Sequence, residues 1–306
     1  LKRLLLFVVC LGLARVGLAQ EALIRSYPLN PLAVNPAYAG SREVTSLSVI
    51  LKRRSLVLQN TYTSQLFSMD FPLASERGGL GFQVFNDQFN PAGTLGFYGS
   101  GAYRIPLERL NGTLALGVQA GFTQVVAFNS IAGNNEYPFT MGLGAYFNTA
   151  HFYAGLAQQN LVGRADSYGT PLRPVFLTAG YLFDLSDNVK LRAGTLLRGV
   201  RATTAASTYR LDVDLNATLW YRKVGLGIWW QGTGSEANDE RALLGIAEVQ
   251  LGDHLRFGFS YDFIAGRDRF QTQPVGSATA AASIFQLLLR YEFDNGSGKV
   301  GRMRYF

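Results

Sequence analysis

Apolar and polar residues alternate along most of this chain in short runs of period two, the spacing of β-strands. The clearest run is Tyr209 to Arg222. One face carries Tyr209, Leu211, Val213, Leu215, Ala217, Leu219 and Tyr221; the other carries Arg210, Asp212, Asp214, Asn216, Thr218, Trp220 and Arg222. An aromatic stands at each end of the apolar face, where the two lipid–water interfaces of a membrane would lie. Leu255 to Phe263 repeats the scheme, with Leu255, Phe257, Phe259, Tyr261 and Phe263 against Arg256, Gly258, Ser260 and Asp262. Near the end, Phe285, Leu287, Leu289, Tyr291 and Phe293 oppose Gln286, Arg290 and Glu292. Further strands are predicted at 44–54, 57–72, 78–87, 94–105, 112–127, 139–148, 151–159, 173–185, 189–200, 223–231 and 241–251. The total is about fourteen, an even number as in bacterial single-chain barrels. The first strands are the least regular, and Leu56 to Leu66 has no clean apolar face.

The connections segregate by length. Short ones are predicted at Leu73–Arg77, Pro106–Asn111, Asn148–Ala150, Asp184–Asn188, Arg222–Lys223 and Gly252–His254. Longer ones fall at Asn129–Pro138, Asn160–Leu172, Gly232–Glu240 and Ile264–Ala282. Short periplasmic turns and long outer loops are the pattern of an outer-membrane barrel. A soluble β-sandwich has no reason to sort its loops this way. In hydrocarbon every backbone N–H and C=O must be paired, so strands cross only as a closed barrel. The expected fold is all-β, an antiparallel transmembrane β-barrel of about fourteen strands.

The start of the chain fits export. Leu1-Lys2-Arg3, the apolar run Leu4–Leu13 and Gly17-Leu18-Ala19 read as a signal peptide cut after Ala19. The expected organisation is therefore 1–19 signal peptide, 20–43 an Asn-Pro-rich periplasmic segment, 44–293 barrel and 294–306 a tail. Both ends of the mature chain are expected on the periplasmic side of a bacterial outer membrane. Cys10 is the single cysteine and leaves with the signal, so no disulfide or thiol chemistry follows. Net charge is +7, and removing Lys2, Arg3 and Arg15 lowers it to +4. With no basic stripe, that argues against nucleic acid as a partner. Charged residues make up 16% of the chain, below the roughly 25% of ordinary soluble domains.

Asn30 to Gly40 reads Asn-Pro-Leu-Ala-Val-Asn-Pro-Ala-Tyr-Ala-Gly. Asn-Pro favours turn initiation, and a residue before proline is pushed out of the helical region. The run resembles the signature of the PorP/SprF family, outer-membrane proteins tied to type IX secretion and gliding motility in Bacteroidetes. Gly79-Leu80-Gly81 with Asn86-Asp87 is similar to the family's next block. So are Pro138 through Leu161, Gly180-Tyr181 with Lys190–Arg198, and Phe259-Ser260-Tyr261-Asp262. The resemblance covers essentially the whole mature chain in order. One departure is the approach to the last strand, Ala282-Ser283-Ile284-Phe285-Gln286, which lacks the family's His and Glu. The resemblance implies a non-enzymatic outer-membrane component that docks or hands over a specific exported surface protein. Its implied partners are outer-membrane lipid, the exported type IX substrate and the secretion machinery.

Candidate chemistry is sparse. The two histidines, His151 and His254, fall in predicted turns, and neither has a serine two residues on as a barrel phospholipase would need. No His/Cys cluster has metal spacing, and no cofactor is expected. Glu236, Asp239 and Glu240 read as a solvated acidic loop. The charges on the inner faces are Arg210, Asp212, Asp214, Arg222, Arg256, Asp262, Arg290 and Glu292, joined by Lys190 and Arg198. They either line a pore, giving a solute channel or transporter, or pair into a plug, since buried charge must be paired or wet. The near balance of signs favours an occluded lumen. Asn30, Pro31, Asn35, Pro36, Tyr38 and Gly40 carry two readings side by side. They fix the approach to the first strand or plug the periplasmic mouth; or they form a docking strip for periplasmic machinery. Arg267, Asp268, Arg269 and Phe270 mix charge and an aromatic in an outer loop, as a contact for a secreted partner or a cover over the lumen.

Overall fold

The computed structural model describes residues 27–55, 61–74, 77–89, 92–126, 137–162, 173–201, 209–233, 242–262, 283–294 and 305. Fourteen strands run through them: β1 (Thr45–Ser55), β2 (Thr61–Pro72), β3 (Gly78–Phe89), β4 (Ala92–Leu107), β5 (Gly112–Val126), β6 (Phe139–Asn148) and β7 (Phe152–Val162), then β8 (Val175–Asp184), β9 (Val189–Arg201), β10 (Tyr209–Tyr221), β11 (Val224–Thr233), β12 (Ala242–Leu251), β13 (Leu255–Asp262) and β14 (Ser283–Phe293). Each pairs antiparallel with its sequence neighbours, and β1 pairs with β14 to close the barrel. Among the described residues closure leaves no edge strand, and neighbouring strands pair all the way round, with a register shift in the β6–β7 ladder between Met141 and Leu143. The fourteen strands expected from alternation are all present, in order and with ends close to those expected.

Short connections gather at one end. They lie between β2 and β3, β4 and β5, β6 and β7, β8 and β9, β10 and β11, and β12 and β13. The β10–β11 link is a two-residue turn, Arg222–Lys223, with Arg222 in the left-handed region at φ 52°. The longer connections lie at the other end, where only the β1–β2 and β3–β4 links are comparably short.

Alternation along each strand sets what faces lipid. On β10, Leu211, Leu215, Leu219 and Tyr221 are exposed, while Asp212, Asn216, Thr218 and Trp220 are buried. Phe82, Phe97, Leu116, Phe122, Leu143, Leu156, Leu177 and Leu226 continue the outward apolar surface around the wall. An apolar belt of this extent is what hydrocarbon contact demands and what water disfavours. Near the short-turn end it carries Phe152, Tyr181, Phe183, Tyr221, Tyr291 and Phe293, in the manner of an interfacial aromatic girdle.

The irregular start of β2 has a physical reason. Leu66 points inward and Gln65 outward, the reverse of the simple lipid-facing pattern. Ile50, Phe85, Leu196 and Leu288 also face inward and are buried. They pack with Tyr27, Leu29, Ala33 and Val34 into one apolar cluster inside the barrel. The lumen thus has a core of its own, formed on residues 27–44.

Candidate functional site: a lumen filled by the Asn-Pro ribbon

The ribbon folds as two short 3-10 turns, Pro31–Ala33 and Pro36–Tyr38, each with a proline at its first position. Proline fits there because its fixed φ suits the turn and its missing N–H would be unpaired anyway. Asn35 caps the second turn, its Oδ1 accepting from the Ala37 N–H at 3.0 Å. Gly40 follows with φ 67°, a conformation that favours glycine. A Cβ there would also stand 2.2 Å from Arg104 Nη2.

This segment lies inside the wall. Leu29, Leu32, Val34, Ala37 and Tyr38 are all at most 2% exposed. Of the two readings given above, the segment is placed as a plug: it packs as deep as Ile50, midway along β1. The depth follows from composition, because a ribbon this apolar gains more by packing against inward Leu, Ile and Phe than by staying in water. Each fully buried large side chain contributes about 1.5–3 kcal/mol.

The wall holds the ribbon largely by its main chain. Gln159 Nε2 donates to the carbonyls of Ala33 at 2.8 Å and Val34 at 3.2 Å. Arg104 Nη2 donates to the carbonyls of Ala39 and Gly78. Arg290 Nη2 donates to the Leu29 carbonyl, and its Nε to Ser48 Oγ at 3.0 Å. Asp70 Oδ2 accepts from the Gly40 N–H at 3.2 Å. Side chains add to this: Asn30 Nδ2 donates to Ser68 Oγ, Asn35 Nδ2 to the Ala145 carbonyl, and Asn216 Nδ2 to the Tyr27 hydroxyl. Tyr38 packs edge-on against Tyr146 with centroids 5.3 Å apart, and Tyr27 against Trp229 at 5.8 Å. Burial pushes the Tyr27 phenol well above its ordinary value, with Tyr153 and Asp214 adding to the effect. Burial also raises Tyr38, partly opposed by Arg42.

Small wall residues make room for the ribbon. A Cβ on Gly117 would stand 2.3 Å from the Ala37 nitrogen, and one on Gly79 2.2 Å from the Ala39 carbonyl oxygen. Gly144 faces Asn35 in the same way, and Gly81 faces Leu32. Gly79 and Gly81, Gly117, and Gly144 and Gly155 of the Pro138–Leu161 block therefore cradle the Asn-Pro run.

Toward the short-turn end the lumen is charged and paired. Glu248 lies 3.2 Å from Arg192 and 3.8 Å from Arg256. Arg42 lies 3.7 Å from Glu292 and stacks over Tyr38 at 5.6 Å. Arg256 also donates to Gln250 Oε1 and lies 5.1 Å over the Trp220 ring. Toward the opposite end, Arg198 pairs with Asp212 across β9 and β10.

Of the inner charges proposed from sequence, Asp212, Arg256, Asp262, Arg290 and Glu292 are buried on the lumen side and Asp214 is half-buried. Arg222 is not among them: it sits in the exposed two-residue turn, where its Nε donates to Asn188 Oδ1 at 3.1 Å. Its place in the alternating run extended one residue past the last ladder pair, Tyr221 with Val224. The side chain of Arg210 lies outside the described residues, as do Arg267, Asp268, Arg269 and Phe270 and the acidic trio Glu236, Asp239 and Glu240. His151 is exposed and hydrogen-bonded to Asp184 at 2.8 Å; His254 stacks on Tyr291 and contacts the Glu292 carbonyl. Among the described residues no three His, Cys, Asp or Glu side chains are grouped to hold a metal ion.

Several residues of the site escape a reading by alternation alone: Arg42, Asp70, Arg104, Gln159, Arg192 and Glu248. The signal that could have found them is the set of inward glycines, which marks where a second backbone approaches the wall.

Comparison with curated proteins found no match. Among solved structures, the chain is similar to the Acinetobacter baumannii outer membrane protein Omp33, at 10% identity and TM-score 0.48, over 82% of this chain and 99% of that one. It is also similar to the KdgM porin, at 11% identity and TM-score 0.41, over 81% and 99%. A triple mutant of the Rhodopseudomonas blastica porin aligns at 9% identity and TM-score 0.36, over 82% and 99%. The profile of the type IX secretion system membrane protein PorP/SprF matches residues 16–277, most of the chain and all of the ribbon with its glycine cradle, so the chain belongs to the PorP/SprF family.

Proposed function

We propose that this barrel is a non-conducting, non-enzymatic outer-membrane scaffold of type IX secretion, which docks or hands over a specific exported surface protein. The observation that carries the reading is the lumen filled by residues 27–44, largely buried and bonded to β2, β4, β6, β7, β10 and β14. A solute channel needs a continuous water path, and this ribbon stands in it. The paired charges support the same reading, because side chains neutralised by partners a few Å away offer little field to a passing ion. The short turns would face the periplasm and the long loops the cell exterior. The loop carrying Arg267–Phe270 is then a contact candidate for the exported protein.

Two measurements test this. The folded full chain in planar bilayers should stay silent; a stable, ion-selective conductance sinks the scaffold reading. Deleting the gene should remove one or a few proteins from the cell surface; an unchanged surface proteome removes the docking role.

A further inference from the structure

Tyr305 lies against the barrel wall, far along the chain from its neighbours there. Its carbonyl accepts from Arg192 Nη1 at 2.9 Å. Its ring meets Trp220 edge-on with centroids 5.6 Å apart, and Lys190 Nζ lies 5.7 Å from the ring centroid. Lys190 is the second residue of β9 and Trp220 the penultimate residue of β10, so the contact lies at the short-turn mouth.

The seat is built by the wall. Arg192 is held by Thr218 Oγ1 at 3.1 Å and Glu248 Oε1 at 3.2 Å. Trp220 is 0% exposed, and Arg256 lies over its ring. Lys190 pairs with Asp184. Three groups thus stand fixed by other partners, presenting an aromatic edge, a cation and a guanidinium N–H. An aromatic side chain satisfies the first two, and a main-chain carbonyl of the same residue satisfies the third. The Asn30–Gly40 ribbon is buried along nearly all its length, whereas Tyr305 is half-buried. Tyr305 is therefore less enclosed than the ribbon.

We propose that Lys190, Arg192 and Trp220 form a peptide-binding site for a Tyr- or Phe-bearing segment at the short-turn mouth, occupied here by the chain's own Tyr305. A second peptide of that chemistry reaches the site by displacing Tyr305, while the ribbon beneath stays in place.

The test uses the full chain with a photo-reactive benzoylphenylalanine at position 305, which leaves the seat unaltered. Irradiation of the folded protein should crosslink position 305 to β9 and β10 around 190–192 and 218–220. A synthetic peptide of residues 300–306 in excess should abolish that crosslink. The same peptide with Tyr305→Ser and Phe306→Ser should not. A crosslink that falls elsewhere, or that the aromatic peptide leaves unchanged, overturns the proposal. So does equal competition by the serine peptide. Retained heat-dependent gel migration verifies that the barrel is folded throughout.

Discussion

Asn35 and Gly144 meet so closely that a Cβ built on Gly144 would stand 2.1 Å from Asn35 Oδ1. Gly117 meets the Ala37 nitrogen in the same way. Replacing either glycine with leucine should push the ribbon from its cradle while leaving the outward belt intact. Overpacking of this kind costs about 1–3 kcal/mol. The expected outcome for Gly144→Leu or Gly117→Leu is a folded barrel with a lower thermal midpoint and measurable bilayer current. Gly99→Ala is the control, since no atom lies within 4 Å of its built Cβ. It should behave as the parent. Current in the control alone would contradict the cradle.

Asn35 itself does two jobs with one amide. Oδ1 caps the Pro36–Tyr38 turn and Nδ2 ties the turn to the Ala145 carbonyl at 2.9 Å. Asn35→Ala removes both in a buried site. The loss should be about 1–3 kcal/mol, from a lost cap and a buried polar group left unpaired. Asn35→Asp keeps the cap acceptor but turns a carboxylate oxygen toward the Ala145 carbonyl in a buried site, and should destabilise at least as much as Asn35→Ala. Urea unfolding midpoints in one detergent rank the three chains, and equal midpoints would remove the capping argument.

The fold was legible because lipid imposes a simple rule on the outward face. Leu211, Leu215 and Leu219 obey it whatever the lumen holds. The inward face has no such rule. Trp220, Trp229 and Leu288 face inward among polar neighbours because a ribbon or an arginine packs on them. Leu66 is the instructive residue, since its inversion is what blurred the second strand in the sequence. The Asn-Pro turns were legible from local chemistry, but their depth was not. That depth depends on Gln159, Arg104 and Arg290, each far away in sequence and each binding a carbonyl that any residue could present.

Glu248 is shared by two guanidinium groups, Arg192 and Arg256. Its side chain is 2% exposed, so water does little to screen the cluster. Glu248→Gln leaves both arginines without this counter-charge inside the lumen. Removing one partner from a buried ion pair costs about 3–5 kcal/mol. Glu248→Gln should therefore lower the unfolding midpoint more than Asn35→Ala does. Arg192 also positions the Tyr305 carbonyl, so the photo-crosslink from position 305 should weaken in the same variant. An unchanged midpoint would mean that neighbouring groups balance both arginines without Glu248, and it rejects Glu248 as the centre of the cluster.

Alkaline pH should loosen the ribbon before it unfolds the wall. Burial raises the phenols of Tyr27 and Tyr38 above the ordinary tyrosine value of about 10. The folded state therefore holds these protons more tightly than the unfolded state does. Their contribution is complete below about pH 10 and declines as pH rises from there through the raised folded values. The ordered lumen should lose stability on that rise, read as a falling thermal midpoint or as bilayer current that appears reversibly. Tyr38→Phe removes one titrating hydroxyl and keeps the ring against Tyr146. Its midpoint should fall less steeply with pH than that of the parent. Superimposable curves for the two chains would show that ionisation of Tyr38 plays no part in holding the ribbon.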